Sequence, residues 1–150
     1  MIQIEDASPA HFDLVCALLQ EHGLPIAGLR EHFDHAIVAR LHGDVVGSAA
    51  LEVHSDGALL RSVAVAPHLT GRGIGHDLVE TILKRAVDER IAAVYLLTET
   101  AADFFPRFAF QRISRAEVPP GVSTSIEFTS ACPQSAVVMR RQICERSKSR

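Results

Sequence analysis

Cysteine, clustered basic charge and long apolar runs are all scarce in this chain, and each scarcity removes a class of protein. Three cysteines among 150 residues, Cys16, Cys132 and Cys144, form an odd set with no C-x-x-C pair, which fits a reducing compartment better than a disulfide framework. No apolar run of membrane length and no signal-peptide pattern is present, so a cytoplasmic location without a membrane partner is expected. Lys and Arg number 15 against 18 Asp and Glu, a formal net charge of −3. Without a basic stripe to neutralise phosphates, nucleic acid is not expected as a partner. The one basic cluster, Arg140, Arg141, Arg146, Lys148 and Arg150, is terminal, and a flexible basic tail is expected at about 142–150. Internal repeats and low-complexity segments are absent, and the eight histidines lack a spacing such as H-E-x-x-H, so no metal is expected.

What is present reads as one domain over residues 1–150. A hydrophobic content of 47% lets a chain of this length bury roughly two-thirds of the surface its unfolded form exposes. Ile2 to Glu5 alternates as a strand, and Asp6-Ala-Ser-Pro caps a helix running to about His22, with Phe12, Val15, Cys16, Leu18 and Leu19 at helical spacing. On that spacing Cys16 is a small core residue. Pro25 and Gly28 interrupt the next stretch, which reads as a loop with one short helix. Three strands follow, His35 to Leu41, Val45 to His54 and Ala58 to Val65, joined at His42-Gly-Asp44 and Ser55-Asp56-Gly57.

The chain then reaches its most informative stretch, Val63-Ala-Val-Ala-Pro-His-Leu-Thr-Gly-Arg-Gly-Ile-Gly-His76. A short β run meets a turn carrying Gly71, Gly73 and Gly75, which opens an amphipathic helix to about Arg90 with Ile74, Leu78, Ile82 and Ala86 on one face. Glycines let the backbone approach a ligand without Cβ obstruction, and a helix N-terminus offers unpaired N–H groups and a positive dipole end. The stretch is predicted to cradle a pyrophosphate. Ala92 to Leu97 is a dense apolar run typical of a buried strand, and it closes a β-α-β unit whose outer strands are parallel. A short helix over Ala101 to Phe108 interrupted near Pro106, a strand at Gln111 to Ser114, a break at Pro119, Pro120 and Gly121, a short helix or turn near Val122 to Glu127 and a final strand at Ala136 to Arg140 complete the reading.

The glycine stretch resembles the acetyl-CoA motif of the GNAT superfamily of N-acetyltransferases, a strand ending in Val followed by Arg/Gln-x-x-Gly-x-Gly/Ala and a helix. Thr70 stands at the Arg/Gln position, and Gly73 and Gly75 fall on the two small-residue positions. The resemblance implies a mixed α/β fold, with a mostly antiparallel central sheet, a parallel splayed strand pair and flanking helices. It implies acetyl-CoA as co-substrate. The backbone of Val63, Ala64 and Val65 would run beside the pantetheine arm, and the stretch Gly71, Arg72, Gly73, Ile74, Gly75 and His76 would hold the pyrophosphate. In many members a Tyr within Asn-x-x-Ala-x-x-Phe-Tyr-x-x-x-Gly-Phe serves as the acid. Here the matching run is Thr98-Glu-Thr-Ala101-Ala-Asp-Phe104-Phe105-Pro-Arg-Phe-Ala109-Phe110. Thr98 and Phe105 would still contact the cofactor, but Phe105 cannot donate a proton.

Acetyl transfer from a thioester to an amine needs a neutral amine and an oriented carbonyl. For an α-amino group with a pKa near ~8 the deprotonation at pH 7 costs only ~1.4 kcal/mol, against about 4.6 kcal/mol for a lysine-like amine. Glu52, inside the apolar strand Ser48-Ala-Ala-Leu-Glu-Val, is the first candidate base, with a solvent-facing position as the plainer reading. Glu99 is a second. Arg61 and Ser62 precede Val63, so both would sit close to the acyl group, and Arg61 could hold an acceptor carboxylate in a bidentate fork.

Glu127-Phe-Thr-Ser-Ala-Cys-Pro-Gln-Ser-Ala-Val-Val-Met-Arg gathers polar and small residues just before the last strand. With it the chain is similar to a narrower subgroup, the N-acetyltransferase-like proteins of arsenic-resistance operons. That likeness implies a role in tolerance of arsenic or related toxic compounds; the expected acceptor is the amine of a small amino-acid-like compound, those containing arsenic or phosphorus among the candidates. Cys132 has two readings, a thiolate for trivalent arsenic or a residue that packs or lines the acceptor pocket, and the second is preferred because the three cysteines assemble no three-thiol site. A homodimer is compatible with the fold. The rival expectation is a non-catalytic protein that binds acyl-CoA or senses an arsenical.

Overall fold

The computed structural model describes residues 2–131 and 134–143. Seven strands form one sheet in the order β1-β2-β3-β4-β5-β7-β6: β1 Ile2–Asp6, β2 Ala36–Leu41, β3 Asp44–His54, β4 Gly57–Val65, β5 Ala93–Thr98, β6 Gln111–Ile113 and β7 Val137–Gln142. Only β4 and β5 run parallel; the other neighbours are antiparallel. The helices are α1 Phe12–Glu21, α2 Ile74–Asp88 and the single turn α3 Pro120–Ser123. This is the mixed α/β layout expected from the sequence.

Both sheet faces are covered, which is why the central strands read as unbroken apolar runs. Ala58, Leu60, Val94, Leu96 and Met139 pack in a large core with Val15, Leu18 and Leu19 of α1 and with Leu78, Ile82 and Ala86 of α2. Their strand neighbours Leu59, Ala93, Tyr95 and Val138 turn to the other face and meet Val118, Val122 and Phe128 in a smaller core. Gly47 of β3 admits α2 to the sheet, since a Cβ there would lie 2.8 Å from Leu78 Cδ1.

Two expectations change. The stretch expected to be helical from Ala101 is mostly turn, with a short 3-10 helix at Phe105–Phe108, because Pro106 removes a donor and restricts its predecessor. Pro120 and Gly121, taken as breakers, instead begin α3, where a first-turn proline lacks only an N–H that would have had no helical partner. Arg140 ends the expected last strand and Arg141 and Gln142 extend it as part of β7, and residues 144–150, including Cys144, lie outside the described residues.

The decisive irregularity is in β4. Ala50 pairs with Arg61 while Ser48 pairs with Ala64, so Ser62 and Val63 oppose Ala49 alone. Ser62 takes φ +62° to accommodate this bulge, and the Ser48 hydroxyl donates to the Ser62 carbonyl at 2.7 Å. A bulge bends and twists its strand. The β4–β5 pairing is accordingly confined to Ala58 with Val94 and Leu59 with Tyr95, and beyond it the two strands diverge.

Candidate active site

A cavity of about 790 Å³ opens in that divergence. Val63, Ala64 and Val65 of β4 line it, with Thr98 at the end of β5 and Gly71, Gly73, Ile74, Gly75, His76 and Phe105 around its rim. The Ala66 N–H donates to the Val46 carbonyl on the β3 side. By strand alternation, Val63 and Val65 turn their peptide groups toward the gap. The Val65 carbonyl meets His22 Nε2 at 2.8 Å.

The glycines divide by cause. Gly71 and Gly73 hold φ of +82° and +83°, a backbone state that disfavours any Cβ. Gly75 does not; a Cβ there would make ordinary contacts of 3.6 Å with Val65 and 3.7 Å with Phe104, so packing does not require glycine at this cavity-lining position. Gly73 caps α2 without any side-chain hydrogen bond, and the Asp77 N–H is the first to reach a helical carbonyl, that of Gly73. The preceding amides stay open to an anion. An uncapped helix start, strand peptides turned toward the gap and a missing Cβ fit a ligand with a pyrophosphate and a thin amide-bearing arm.

Arg72 is exposed and outside the cavity lining, so its expected part in the cradle falls to its backbone amide. Arg107, which the sequence reading passed over, lines the cavity instead. Its Nε donates to the Phe104 carbonyl at 2.8 Å and its guanidinium lies 4.8 Å from the Phe104 ring centroid, beside Gly75. The Thr98 hydroxyl accepts from the Ala101 N–H at 2.9 Å and fixes the turn after β5. Phe105 is buried between Phe104 and Phe110 and offers the cavity only a ring edge or face.

At the other end stands a buried polar cluster. The β3–β4 register places Glu52 opposite Leu59 and Ala50 opposite Arg61, so Glu52 and Arg61 share the face that α3 and the following segment cover. Arg61 Nη1 donates to Glu52 Oε2 at 2.6 Å and Nη2 to the Pro25 carbonyl at 3.2 Å. Arg61 Nε faces both Ser62 Oγ and Glu127 Oε2 at 3.2 Å. Ser125 Oγ donates to Glu52 Oε2 at 3.1 Å and accepts from the Glu127 N–H at 3.1 Å. His54 and His32 approach Glu52 Oε1 at 3.4 and 3.7 Å.

Glu52 is only 2% exposed and is not among the residues lining the cavity, so it is not the solvent-facing residue of the plainer reading. Arg61 does line the cavity, with Nη1, Nη2 and Nε each already bonded within the protein. Ser62 and Glu99 line the cavity as expected, and Glu127 joins them. The unusual run of small and polar residues beginning at Glu127 was the signal for it. Cys132 lies outside the described residues. Cys16 is half-buried on α1 rather than in the core and away from the cavity. Burial raises its thiol pKa, with Asp13 adding to the rise and Arg30 opposing it, which keeps it protonated and unsuited to carry an acyl group. Among the described residues one group, His76, Asp77 and Glu80, brings three potential metal ligands within 4.8 Å of one another, all exposed. No helix among them is long and apolar enough to cross a membrane.

A bulged strand, a splayed parallel pair and an uncapped glycine-opened helix together define the acyl-CoA-binding class of α/β folds. The chain belongs to the acetyltransferase (GNAT) family, whose model matches residues 4–110. It is 45% identical over 80 residues to an amino-acid acetyltransferase of Mycobacterium tuberculosis, covering 52% of this chain and 45% of that protein. Rv2747 from Mycobacterium tuberculosis, solved in complex with CoA, superposes with a TM-score of 0.79 at 28% identity, over 95% of this chain and 99% of that one. The N-acetylglutamate synthase of Neisseria gonorrhoeae, complexed with coenzyme A and N-acetyl-glutamate, reaches a TM-score of 0.82 at 22% identity, over 96% of this chain but 35% of that one. The chain thus spans less than half the length of the amino-acid acetyltransferase and about a third of the synthase.

Proposed function

We propose that this protein transfers the acetyl group of acetyl-CoA to the amino group of a small, amino-acid-like acceptor. The carrying observation is the cavity between β4 and β5, which runs from an uncapped helix start to a buried acid–base cluster within one continuous wall. In this reading the amides from Gly71 to His76 hold the pyrophosphate, with Arg107 beside them, and the peptide groups of Val63 and Val65 align the arm. The co-substrate supplies an activated acetyl thioester. Ser62 Oγ accepts from Arg61, which leaves its O–H free to donate toward the departing sulfur; Thr98 and Thr100 add hydroxyls to the same wall. A thiol with a pKa near ~8.5 leaves readily enough that no tyrosine is required.

The amino-acid class of acceptor is supported by what the related proteins are named for and by the modest cost of deprotonating an α-amino group. The test is release of free CoA thiol from acetyl-CoA by purified protein across amino acids, other small amines, and amino acids with arsenic- or phosphorus-containing side chains. Turnover confined to amino-acid frames supports the reading, and preference for the arsenic or phosphorus analogues would narrow it to detoxification. Saturable acetyl-CoA binding with no release for any amine would turn the assignment toward a non-catalytic acyl-CoA-binding protein.

A further inference from the structure

Phosphates bring full negative charges, and the glycine turn has no cation of its own to meet them. Thr70 gives its hydroxyl to the Pro67 carbonyl at 3.1 Å, and the Arg72 side chain stands exposed outside the cavity lining. His76 faces the carboxylates of Asp77 and Glu80 at 3.4 and 3.8 Å. The open amides of α2 supply the equivalent of about half a positive charge. A guanidinium must come from elsewhere, and two line the cavity, Arg61 and Arg107. Arg61 is committed to the buried cluster through Nε, Nη1 and Nη2. Arg107 is held differently. Its Nε donates to the Phe104 carbonyl at 2.8 Å and its guanidinium lies over the Phe104 ring, whose edge is 3.7 Å from the position a Cβ of Gly75 would take. Those two contacts fix the plane of the fork, and Nη1 and Nη2 have no partner among the described residues.

We propose that Arg107 supplies the cation the glycine turn lacks: from the turn after β5 its two Nη groups bind phosphate oxygens of the co-substrate. A guanidinium presents parallel N–H donors that match a phosphate in a fork. Because the Phe104 carbonyl and ring already hold that fork in place, little rotamer freedom is left to lose when the ligand arrives. The inference rests on the acyl-CoA reading and deepens it, since it assigns the charged contact of the phosphate end to one side chain that the glycine stretch does not contain. The pyrophosphate and the ribose 3′-phosphate of CoA offer the same chemistry, and dephospho-CoA, which lacks the second, separates them.

The test is calorimetric titration of CoA and dephospho-CoA, at low and high salt, into wild type, Arg107→Ala, Arg107→Lys and the double variant Thr70→Arg/Arg107→Ala. In Arg107→Ala the dissociation constant for CoA is expected to rise about tenfold at low salt, the scale of one exposed charge-assisted hydrogen bond. Salt should weaken the variant's binding less than the wild type's, because one ionic contact is gone. Arg107→Lys should recover part of the affinity, as a point charge without the fork. Thr70→Arg should recover affinity in the double variant by returning a guanidinium to the same end of the cavity. An equal loss with dephospho-CoA marks the pyrophosphate as the partner, and a loss confined to CoA marks the 3′-phosphate; either supports the role. Wild-type CoA affinity in Arg107→Ala would overturn it. So would a loss that keeps the wild-type salt dependence, since that would mark disturbed packing at Phe104. If wild type itself binds no CoA, the acyl-CoA reading falls and this role falls with it, an outcome distinct from a variant that binds as well as wild type.

Discussion

The two ends of the cavity are built by opposite means. The cradle from Val63 to His76 is contiguous in sequence, made of backbone and open to solvent. The cluster of Glu52, Arg61, Ser125 and Glu127 comes from three separated parts of the chain, is made of side chains and is buried. Peptide groups bind whatever carries the right charge, and a glycine stretch suffices to expose them. Buried charges must be satisfied by partners whose positions only the folded chain supplies. The common parts of a ligand suit the first construction, and acceptor-specific chemistry suits the second.

Breaking the cluster should cost the fold most. Arg61→Ala leaves Glu52 and Glu127 buried around an absent cation, and we expect a loss of about 3–5 kcal/mol in a denaturant titration. Because Arg61 is held between Glu52 and Glu127, the variant should lose amines with and without a carboxylate alike; a selective loss of carboxylate-bearing acceptors would support a carboxylate clamp.

Breaking the cradle should spare the fold and cost binding. Gly75→Val places its branch among Val65 and Phe104 in the cavity. Because Gly75 is in ordinary helical conformation, the melting temperature should hold within a few degrees. Acetyl-CoA affinity should fall roughly 10- to 100-fold, the worth of one or so charge-assisted hydrogen bond, as read by calorimetry. An unfolded Gly75→Val protein would mean that the glycine serves packing rather than the ligand.

A smaller effect belongs to His22, whose Nε2 occupies the Val65 carbonyl that the arm would use. His22→Ala should tighten CoA by about fivefold, since binding no longer displaces a hydrogen bond of about 1 kcal/mol. Weaker binding would show that His22 contacts the ligand. The smallest effect lies outside both regions. With its pKa raised by burial, Cys16 should react slowly with iodoacetamide at pH 7, and its rate should keep climbing beyond the usual thiol midpoint. Modification there should leave acetyl-CoA binding unchanged.

Much of the fold was legible because its signals are local. The alternation of β1, the turns that join β2, β3 and β4, the apolar face of α2 and the dense run of β5 are each signals carried within one stretch of chain. The glycines announced the cradle for the same reason. Legibility failed where the deciding contact was remote. Arg72 stood within the motif but faces solvent, while Arg107, outside it, lies against Phe104 and the cavity. Glu52 looked like a base because a carboxylate in an apolar strand is unusual, yet the explanation is an arginine on the neighbouring strand.

By itself, then, the sequence determined most of the strands and helices, the parallel pair and the glycine turn that opens α2, since spacing along one chain is enough to specify a periodic face or a backbone conformation. The tertiary structure alone decided that Glu127 lines the cavity and Glu52 does not. That choice depends on the bulge at Ser62, on the pairing of Ala50 with Arg61, and on a segment sixty-six residues beyond Arg61 that brings Glu127 over the sheet. A charge buried between elements is placed by all of them together, and no local period records it.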